Sequence, residues 1–268
     1  MIKRIFSDMD GTLLNSKGWV SDSNAQKIRQ AGLPVTLVSA RAPMEMRQAI
    51  DALGLDGVQV GFNGGLIYQL IDGAVKPLHT EIIKKATAQH LLQTVRQHFP
   101  SVSLSYYDLN RWYCDKIDDG IRYETSITLQ DPTILTESVF LEGKTYTFKI
   151  MMITFDEATM VEMEAYLQSL ELDGVTIQRS GPFHLEITHS RAKKSKGIAF
   201  IMQKEGLRKE ATAAFGDGHN DIPMLEMVGY PIVMANAFDD IKSLAYKVTK
   251  SNDQDGVGYG IENYLINL

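Results

Sequence analysis

The chain reads Asp8-Met9-Asp10-Gly11-Thr12-Leu13 directly after a short apolar segment, Ile2 to Phe6. Such a segment is typical of a buried strand, and two carboxylates one residue apart at its end would lie at the carboxyl edge of a sheet. Ligands bind at that edge in open α/β folds. The two carboxylates repel each other, so we expect a cation, and a hard dication such as Mg²⁺ suits oxygen ligands. The alternative is an ordinary acidic turn at Gly11.

Strand and helix patterns alternate in the segments that follow. Residues 34–38 form an apolar strand pattern, a helix pattern runs from Pro43 to Gly54, and residues 58–62 form a third strand pattern. The alternation returns after Lys196. Such alternation predicts a parallel, doubly wound sheet.

The middle of the chain has a different pattern of secondary-structure signals. Asp72-Gly73 marks a hairpin, residues 83–99 have helical spacing, and residues 102–107 alternate like an antiparallel strand. We therefore predict an α/β fold with a doubly wound parallel-sheet (Rossmann-like) core and an inserted α+β cap. The predicted core comprises residues 1–82 and 188–268, and the predicted cap comprises residues 83–187.

The composition and charge of the chain argue against several classes of function. The 268 residues carry a formal net charge of -6, which argues against a nucleic-acid partner because phosphate backbones attract basic surfaces. No apolar run has the length of a membrane span, and the first residues enter a strand pattern without a signal peptide, so we expect no membrane partner and a cytoplasmic location. The lone cysteine, Cys114, excludes an internal disulfide and is expected to be structural.

Residues 8–13 resemble the first motif of the haloacid dehalogenase superfamily, whose members are mostly magnesium-dependent aspartyl phosphatases. The segment Phe215-Gly216-Asp217-Gly218-His219-Asn220-Asp221 matches the family pattern Gly-Asp-x-x-Asn-Asp at every fixed position. The segment Val38-Ser39-Ala40-Arg41 takes the place of the second motif, with Ala40 where lidded members often have glycine. The cap lies between the second and third motifs, as in Cof-type members with an α+β (type IIB) cap.

The resemblance implies a role for each motif residue. Asp8 is the expected nucleophile, and Asp10 is the expected general acid–base, hydrogen-bonded by Thr12. Mg²⁺ is expected to bind Asp8, Asp217 and the backbone carbonyl of Asp10. Asp221 would ligate it through water or hold the other ligands in place.

The third motif of the family is a lysine that precedes a glycine at the start of a helix, which implies Lys196. This ammonium would cancel repulsion between Asp8 and a phosphate dianion. The neighbouring Arg191, Lys193 and Lys194 are expected to be surface charges. The remaining phosphate- or substrate-binding residues implied by the resemblance are Met9, Thr12, Ser39, Ala40 and Asn220.

The predicted function is hydrolysis of a phosphate monoester through an aspartyl-phosphate. The resemblance implies small phosphorylated metabolites as substrates, either sugar phosphates or phosphorylated cofactors and nucleotides. Two alternatives stay open, namely a phosphosugar mutase of the same fold and a catalytically idle module that binds a metabolite. Five cap residues are either core or substrate contacts: Tyr106, Tyr107, Trp112, Tyr113 and His184. The sequence carries no signal for an oligomeric state.

Overall fold

The computed structural model describes residues 1–268. Its strands, in chain order, are β1 (Arg4–Ser7), β2 (Val35–Leu37), β3 (Val58–Gly61), β4 (Leu66–Ile71), β5 (Ala74–Thr80), β6 (Ser103–Tyr107), β7 (Trp112–Cys114), β8 (Thr133–Ile134), β9 (Lys149–Ile153), β10 (Val175–Arg179), β11 (His184–His189), β12 (Thr212–Gly216), β13 (Tyr230–Val233) and β14 (Lys247–Val248). Its α-helices are α1 (Asp22–Ala31), α2 (Pro43–Leu53), α3 (Lys85–His98), α4 (Asp119–Thr128), α5 (Glu137–Leu141), α6 (Glu157–Ser169), α7 (Lys194–Glu205), α8 (Ile222–Leu225), α9 (Asp239–Lys242) and α10 (Gly256–Gly260).

The chain divides into two compact units. The first comprises residues 1–41, 46–79 and 193–268, and the second comprises residues 42–45 and 80–192. The second unit begins three residues before the predicted cap and ends five residues after it. It also takes in residues 42–45 at the start of α2, which lie within the predicted core.

The first unit is built on a parallel sheet with the strand order β14-β13-β12-β1-β2. A parallel bridge between Val38 and Val60 brings β3 next to β2. The chain therefore runs from β1 to β3 in one direction and from β12 to β14 in the other, and the direction changes between β1 and β12. This arrangement confirms the predicted doubly wound fold, and ligands bind at such a change of direction in other sheets of this kind.

Local sequence signals explain where the helices of the first unit begin and end. The Ser21 hydroxyl caps α1 by accepting a hydrogen bond from the N–H of Asn24 at 3.0 Å, and Gly32 ends the helix with a φ of 63° that suits glycine. Helix α7 buries Gly197, Ile198 and Ile201 on one face. The ordinary i, i+3, i+4 pattern of an amphipathic helix thus fixes which face of α7 points into the unit.

The second unit contains a six-stranded sheet with the order β10-β11-β9-β6-β7-β8. Its strands pair antiparallel, except that β7 and β8 are parallel. One face of the sheet packs with α3 and α6 around an apolar core that includes Leu104, Ile150 and Ile187. Helices α4 and α5 were not predicted. Helix α4 has Gly120 in its first turn and is rich in residues of modest helix propensity, and α5 is only 5 residues long.

No helix of the chain combines the length and apolar character that crossing a membrane requires.

Candidate functional site

The carboxylates of the first motif (residues 8–13) and of the Gly-Asp-x-x-Asn-Asp segment at residues 216–221, the fourth motif, meet at the ends of two adjacent strands. Asp8 follows β1 and Asp217 follows β12, and these strands are paired in parallel register from Arg4–Thr212 to Ser7–Phe215. The N–H of Asp8 continues the ladder by donating to the Phe215 carbonyl at 3.0 Å. Residues that are 209 positions apart are therefore neighbours because the strands that carry them are neighbours.

The turn from Met9 to Leu13 wraps closely around Asp217. Gly11 has a φ of 74°, and a Cβ atom at this position would overlap the Asp217 carboxylate, so the approach of Asp217 requires glycine. The Thr12 hydroxyl donates to Asp217 Oδ1 at 2.6 Å, and the Asn236 amide donates to the Gly11 carbonyl at 2.8 Å. The expectation that Thr12 bonds to Asp10 is wrong, since its hydroxyl holds Asp217 instead.

The buried ammonium of the site belongs to Lys194. Its Nζ donates to Asp8 Oδ1 and to Asp221 Oδ1, both at 2.7 Å, and the residue is only 3% exposed. Lys196, which the sequence analysis assigned to this role, is exposed. Both expectations are therefore corrected, because Lys194 is not a surface charge and Lys196 is not the lysine beside Asp8.

Helix geometry explains the difference between the two lysines. Successive residues of an α-helix are turned by about 100°, so two residues apart means nearly opposite faces. Lys194 lies three and four positions before Gly197 and Ile198, on the face that α7 buries. Gly197 is packed against Val60, where a Cβ would overlap the Val60 side chain. The buried face of α7 thus points Lys194, and not Lys196, toward Asp8.

Three carboxylates gather around this lysine. One oxygen from each of Asp8, Asp217 and Asp221 lies within 4.8 Å of the others. Asp221 is fully buried, and its Oδ2 accepts the backbone N–H groups of Asp217 and Gly218 at 3.1 and 3.0 Å. Asp221 therefore holds the fourth-motif loop in shape as well as contributing charge.

The charges of these residues change one another's pKa values. Burial raises the pKa of Asp8 well above its ordinary value, the Asp221 charge raises it further, and Lys194 opposes both. Burial also raises the pKa of Asp217, against the hydrogen bond from Thr12. Burial alone would lower the pKa of Lys194, but Asp8 and Asp221 raise it. Lys194 is thus a permanent cation that favours the ionised form of Asp8.

The three carboxylates of Asp8, Asp217 and Asp221 fit a bound metal ion. Three carboxylates against one ammonium leave an excess of negative charge in a buried place, and a dication would neutralise it. The donor set consists of oxygen atoms alone, which suits a hard cation. The Asp10 carboxylate is outside this group, because Arg41 binds both of its oxygens, at 2.9 Å through Nε and 2.7 Å through Nη2. Metal ligation by the Asp10 backbone carbonyl stays a prediction.

The second motif presents a hydroxyl near the end of β2. Ser39 is fully buried, and its Oγ accepts the N–H of Arg41 at 3.1 Å. The N–H of Asn63 donates to the Ser39 carbonyl at 2.8 Å. Asn63 has a left-handed backbone with a φ of 54°, and its Oδ1 is buried without a hydrogen-bond partner. The Asn63-Gly64 turn is thus attached to the second motif.

Other residues of the motifs have different surroundings. Asn220 is exposed, Met9 is buried, and the His219 ring is paired with Asp240 at 2.7 Å. Substrate binding by Met9, Thr12, Ser39, Ala40 and Asn220 stays a prediction. Burial raises the pKa of the Cys114 thiol to about 11, which suits an inert structural cysteine.

The five cap candidates are mostly packed inside the second unit. Tyr106 and Tyr113 belong to its apolar core. The rings of Tyr107 and Trp112 stack with centroids 5.8 Å apart. His184 is partly buried, with its Nε2 at 3.0 Å from Glu124 Oε2. Tyr106 and Tyr113 therefore act as core residues, and the other three lie on the opposite face of the sheet.

The family model of haloacid dehalogenase-like hydrolases matches residues 5–261. The chain belongs to this family, which confirms the predicted membership and an enzyme of the hydrolase class. It is 28% identical over 287 residues to the 5-amino-6-(5-phospho-D-ribitylamino)uracil phosphatase YwtE of Bacillus subtilis, an alignment that covers 98% of both chains.

Solved structures have the same fold. A haloacid dehalogenase-like hydrolase from Bacteroides thetaiotaomicron matches with a TM-score of 0.88 and 24% identity, over 98% of this chain and 99% of the other. The subclass IIB sugar phosphatase BT4131 matches with a TM-score of 0.79 and 20% identity, over 98% of this chain and 99% of the other. The arrangement of a parallel core sheet and a separate, mainly antiparallel sheet is thus that of subclass IIB.

Proposed function

We propose that this member of the haloacid dehalogenase-like hydrolase family is a Mg²⁺-dependent phosphatase that acts through an aspartyl-phosphate on Asp8. The observation that carries the proposal is the buried group in which Lys194 Nζ contacts Asp8 and Asp221 at 2.7 Å each, with Asp217 beside them. A nucleophilic carboxylate that attacks a phosphate dianion needs fixed positive charge. Lys194 and a metal ion together would supply it.

Asp8, Asp217 and Asp221 are the residues that would hold Mg²⁺, directly or through water. When bound, the ion would polarise a phosphoryl oxygen and neutralise part of its charge. Asp221 also accepts two backbone N–H groups, so it would fix the position of Asp217. We infer that Thr12 serves the same end, since its hydroxyl orients the Asp217 carboxylate.

In the first step, an oxygen of Asp8 would attack phosphorus while the bond from phosphorus to the leaving oxygen breaks. Asp10 would donate a proton to that leaving oxygen. The Asp8 Oδ1 atom is engaged by Lys194, so Oδ2 is the candidate nucleophilic atom. The Ser39 hydroxyl already accepts the Arg41 N–H and keeps its own proton to donate to a phosphoryl oxygen.

In the second step, Asp10 would take a proton from water, and the resulting hydroxide would attack phosphorus. The bond between phosphorus and Asp8 then breaks, which releases inorganic phosphate and restores the Asp8 carboxylate. The Asp10 side chain suits both proton transfers because it is 57% exposed and so accessible to water. Lys194 would stabilise the carboxylate that leaves in this step.

Small phosphorylated metabolites are the proposed substrate class. The named relative from Bacillus subtilis acts on a phosphorylated ribityl chain, and BT4131 is a sugar phosphatase. Both names describe a phosphate ester of a polyhydroxylated carbon chain. We propose the same class for this chain, with phosphorylated sugars and sugar alcohols as the first compounds to assay.

The test is release of inorganic phosphate from p-nitrophenyl phosphate and from a panel of sugar phosphates, with Mg²⁺ and with EDTA. We expect turnover that requires Mg²⁺ and is lost in Asp8→Asn, by at least ~10⁴-fold. Transfer of phosphate to a second sugar without release of inorganic phosphate would support a mutase instead. Wild-type turnover by Asp8→Asn would overturn the proposal.

A further inference from the structure

We propose that Arg41 is a positioning residue for Asp10, holding the carboxylate that transfers protons in one orientation. This inference rests on the proposed function, since it concerns the residue assigned there as acid and base. Arg41 and Asp10 form an ion pair in which two guanidinium nitrogens bind both carboxylate oxygens. Arg41 Nε lies 2.9 Å from Asp10 Oδ2, and Arg41 Nη2 lies 2.7 Å from Asp10 Oδ1.

The geometry of this pair determines orientation as well as distance. Two parallel N–H donors on a planar guanidinium bind both oxygens of a carboxylate and so fix the plane of the carboxylate group. Asp10 needs such a partner, because its side chain is 57% exposed. An exposed aspartate without a partner exchanges between rotamers on a fast timescale. The Arg41 side chain is itself only 19% exposed, so it is held by the protein.

The backbone of Arg41 is anchored on both sides of its peptide. Its N–H donates to Ser39 Oγ at 3.1 Å, and its carbonyl accepts the N–H of Phe62 at 3.0 Å. One residue therefore contacts two groups of the proposed mechanism, the Ser39 hydroxyl through its backbone and the Asp10 carboxylate through its side chain. A group fixed to the sheet edge in this way can set the position of Asp10 relative to Ser39.

A second arginine of the same unit provides a matched control. Arg47 also binds an aspartate, with Nε at 2.9 Å from Asp51, but the pair joins successive turns of α2 and is 45% and 59% exposed. Exposed pairs of this kind contribute little to stability. Neither Arg47 nor Asp51 has a place in the proposed mechanism, so Arg47→Lys should leave kcat and KM unchanged.

The test is a double-mutant cycle in which Arg41→Lys is made in the wild type and in Asp10→Asn. Lysine keeps the charge but cannot bind both carboxylate oxygens. We expect Arg41→Lys to lower kcat by roughly 10-fold to 100-fold, the range that loss of orientation produces, with KM within about twofold. In the Asp10→Asn background the same substitution should lower kcat no further, because the group that Arg41 positions is already inactive.

Two results would overturn the proposal. A kcat loss that persists in Asp10→Asn, together with a raised KM, would mean that Arg41 binds substrate directly. An unchanged kcat in Arg41→Lys would mean that the ion pair has no role in turnover. If Arg41→Lys does not fold by circular dichroism, Arg41→Gln takes its place in the cycle. Failure of the proposed function is distinguishable, since Asp10→Asn itself would then turn over at the wild-type rate.

Discussion

Each unit of the molecule buries one lysine among three carboxylates, and the two groups are organised differently. In the first unit Lys194 is surrounded by Asp8, Asp217 and Asp221. In the second unit Lys149 is 4% exposed and is influenced by the charges of Glu186, Glu45 and Glu124. Each group combines one ammonium with three carboxylates, so this combination alone does not identify the functional site.

The carboxylates around Lys149 are bound to separate partners. Glu186 accepts from Lys149 Nζ at 3.2 Å, Glu124 is bound to His184, and Glu45 accepts the Ala42 N–H at 2.6 Å. The Lys149 Nζ also lies 4.7 Å from the centre of the Tyr107 ring, a cation–π distance. In this group each charge is satisfied within the protein.

The carboxylates around Lys194 instead converge on one point. They are the sole group of metal-ligand residues in the chain with donor atoms this close together, within 4.8 Å. Asp8 and Asp217 directly follow strands β1 and β12, and Asp221 precedes α8, whereas Lys149 and Glu186 stand within paired strands. The two groups thus differ in arrangement, because the carboxylates around Lys194 bring one oxygen each to a place where a single cation could bind them all.

The largest expected difference between the two groups is in catalysis. Lys194→Met should lower kcat for p-nitrophenyl phosphate by about 10³-fold or more, because it removes the fixed charge beside the reacting phosphoryl group. Lys149→Met should leave kcat within about threefold, since Lys149 neutralises carboxylates that take no part in the chemistry. Steady-state kinetics at 15–20 °C, on protein that is folded by circular dichroism, checks both. Equal losses in the two variants would break the distinction.

Lys196→Met is the control for this prediction. Lys196 is exposed two positions along the same helix, so its removal should leave kcat unchanged. A large loss in Lys196→Met would mean that Lys196, and not Lys194 alone, supplies positive charge to the reaction.

The sequence was sufficient for the positions of the acidic motifs but not for the lysine. Asp8 and Asp217 each follow an apolar strand and belong to fixed patterns, so their meeting at one sheet edge could be predicted. The basic run before Gly197 offered several candidates, and the family pattern selected the residue beside the glycine. The spacing of Lys194 from Ile198 and Ile201 was a further signal, because these residues share one helix face.

Residues that act through tertiary contacts could not be predicted. The bond from Thr12 to Asp217 depends on how the Gly11 turn packs against the next strand end. The pairing of Arg41 with Asp10 joins the ends of two strands, and the inclusion of Glu45 in the second unit depends on packing at the start of α2. Periodicity determines which face is buried, but it does not determine which polar groups meet there.

The second difference concerns stability. Lys149→Met removes the cation that is paired with the buried Glu186, and removal of one partner from a buried pair costs about 3–5 kcal/mol. We expect a loss of about 3 kcal/mol in the free energy of unfolding, measured by urea denaturation. Glu186→Gln keeps Lys149 near two other glutamates and should cost less. The comparison would be weakened if Lys149→Met were as stable as the wild type.

The third difference concerns the response to Mg²⁺. A ligand that binds only the folded state at about 100 times its Kd adds about 2.7 kcal/mol to the free energy of unfolding. We expect this increase in the wild type and in Glu186→Gln, and a much smaller one in Asp217→Asn. Thermal unfolding with and without Mg²⁺ measures it. An undiminished increase in Asp217→Asn would mean that Mg²⁺ binds elsewhere.

The smallest effect is a pH dependence that belongs to Lys149. Burial would lower its pKa, but the neighbouring glutamates raise the pKa from 10.5 to about 12. Because the pKa of Lys149 is higher in the folded state than in the unfolded state, its charge stabilises the fold by about 2 kcal/mol at a pH below the unfolded-state pKa. This stabilisation is lost as the pH rises through the folded-state pKa. The stability gap between wild type and Lys149→Met should therefore be constant from neutral pH to pH 10.5 and shrink above it. A gap independent of pH would contradict this origin.

The central claim is that Asp8 becomes phosphorylated during turnover, and trapping that species tests it most directly. Asp10→Asn protein, mixed with substrate and Mg²⁺ and quenched in acid, should carry one phosphoryl group on Asp8. Sodium borohydride reduces this aspartyl-phosphate, which leaves homoserine at position 8. Peptide mass spectrometry reads the position. The account predicts this modification at Asp8, with none in Asp8→Asn. Turnover without any modified peptide, or with the phosphoryl group on another residue, would contradict it.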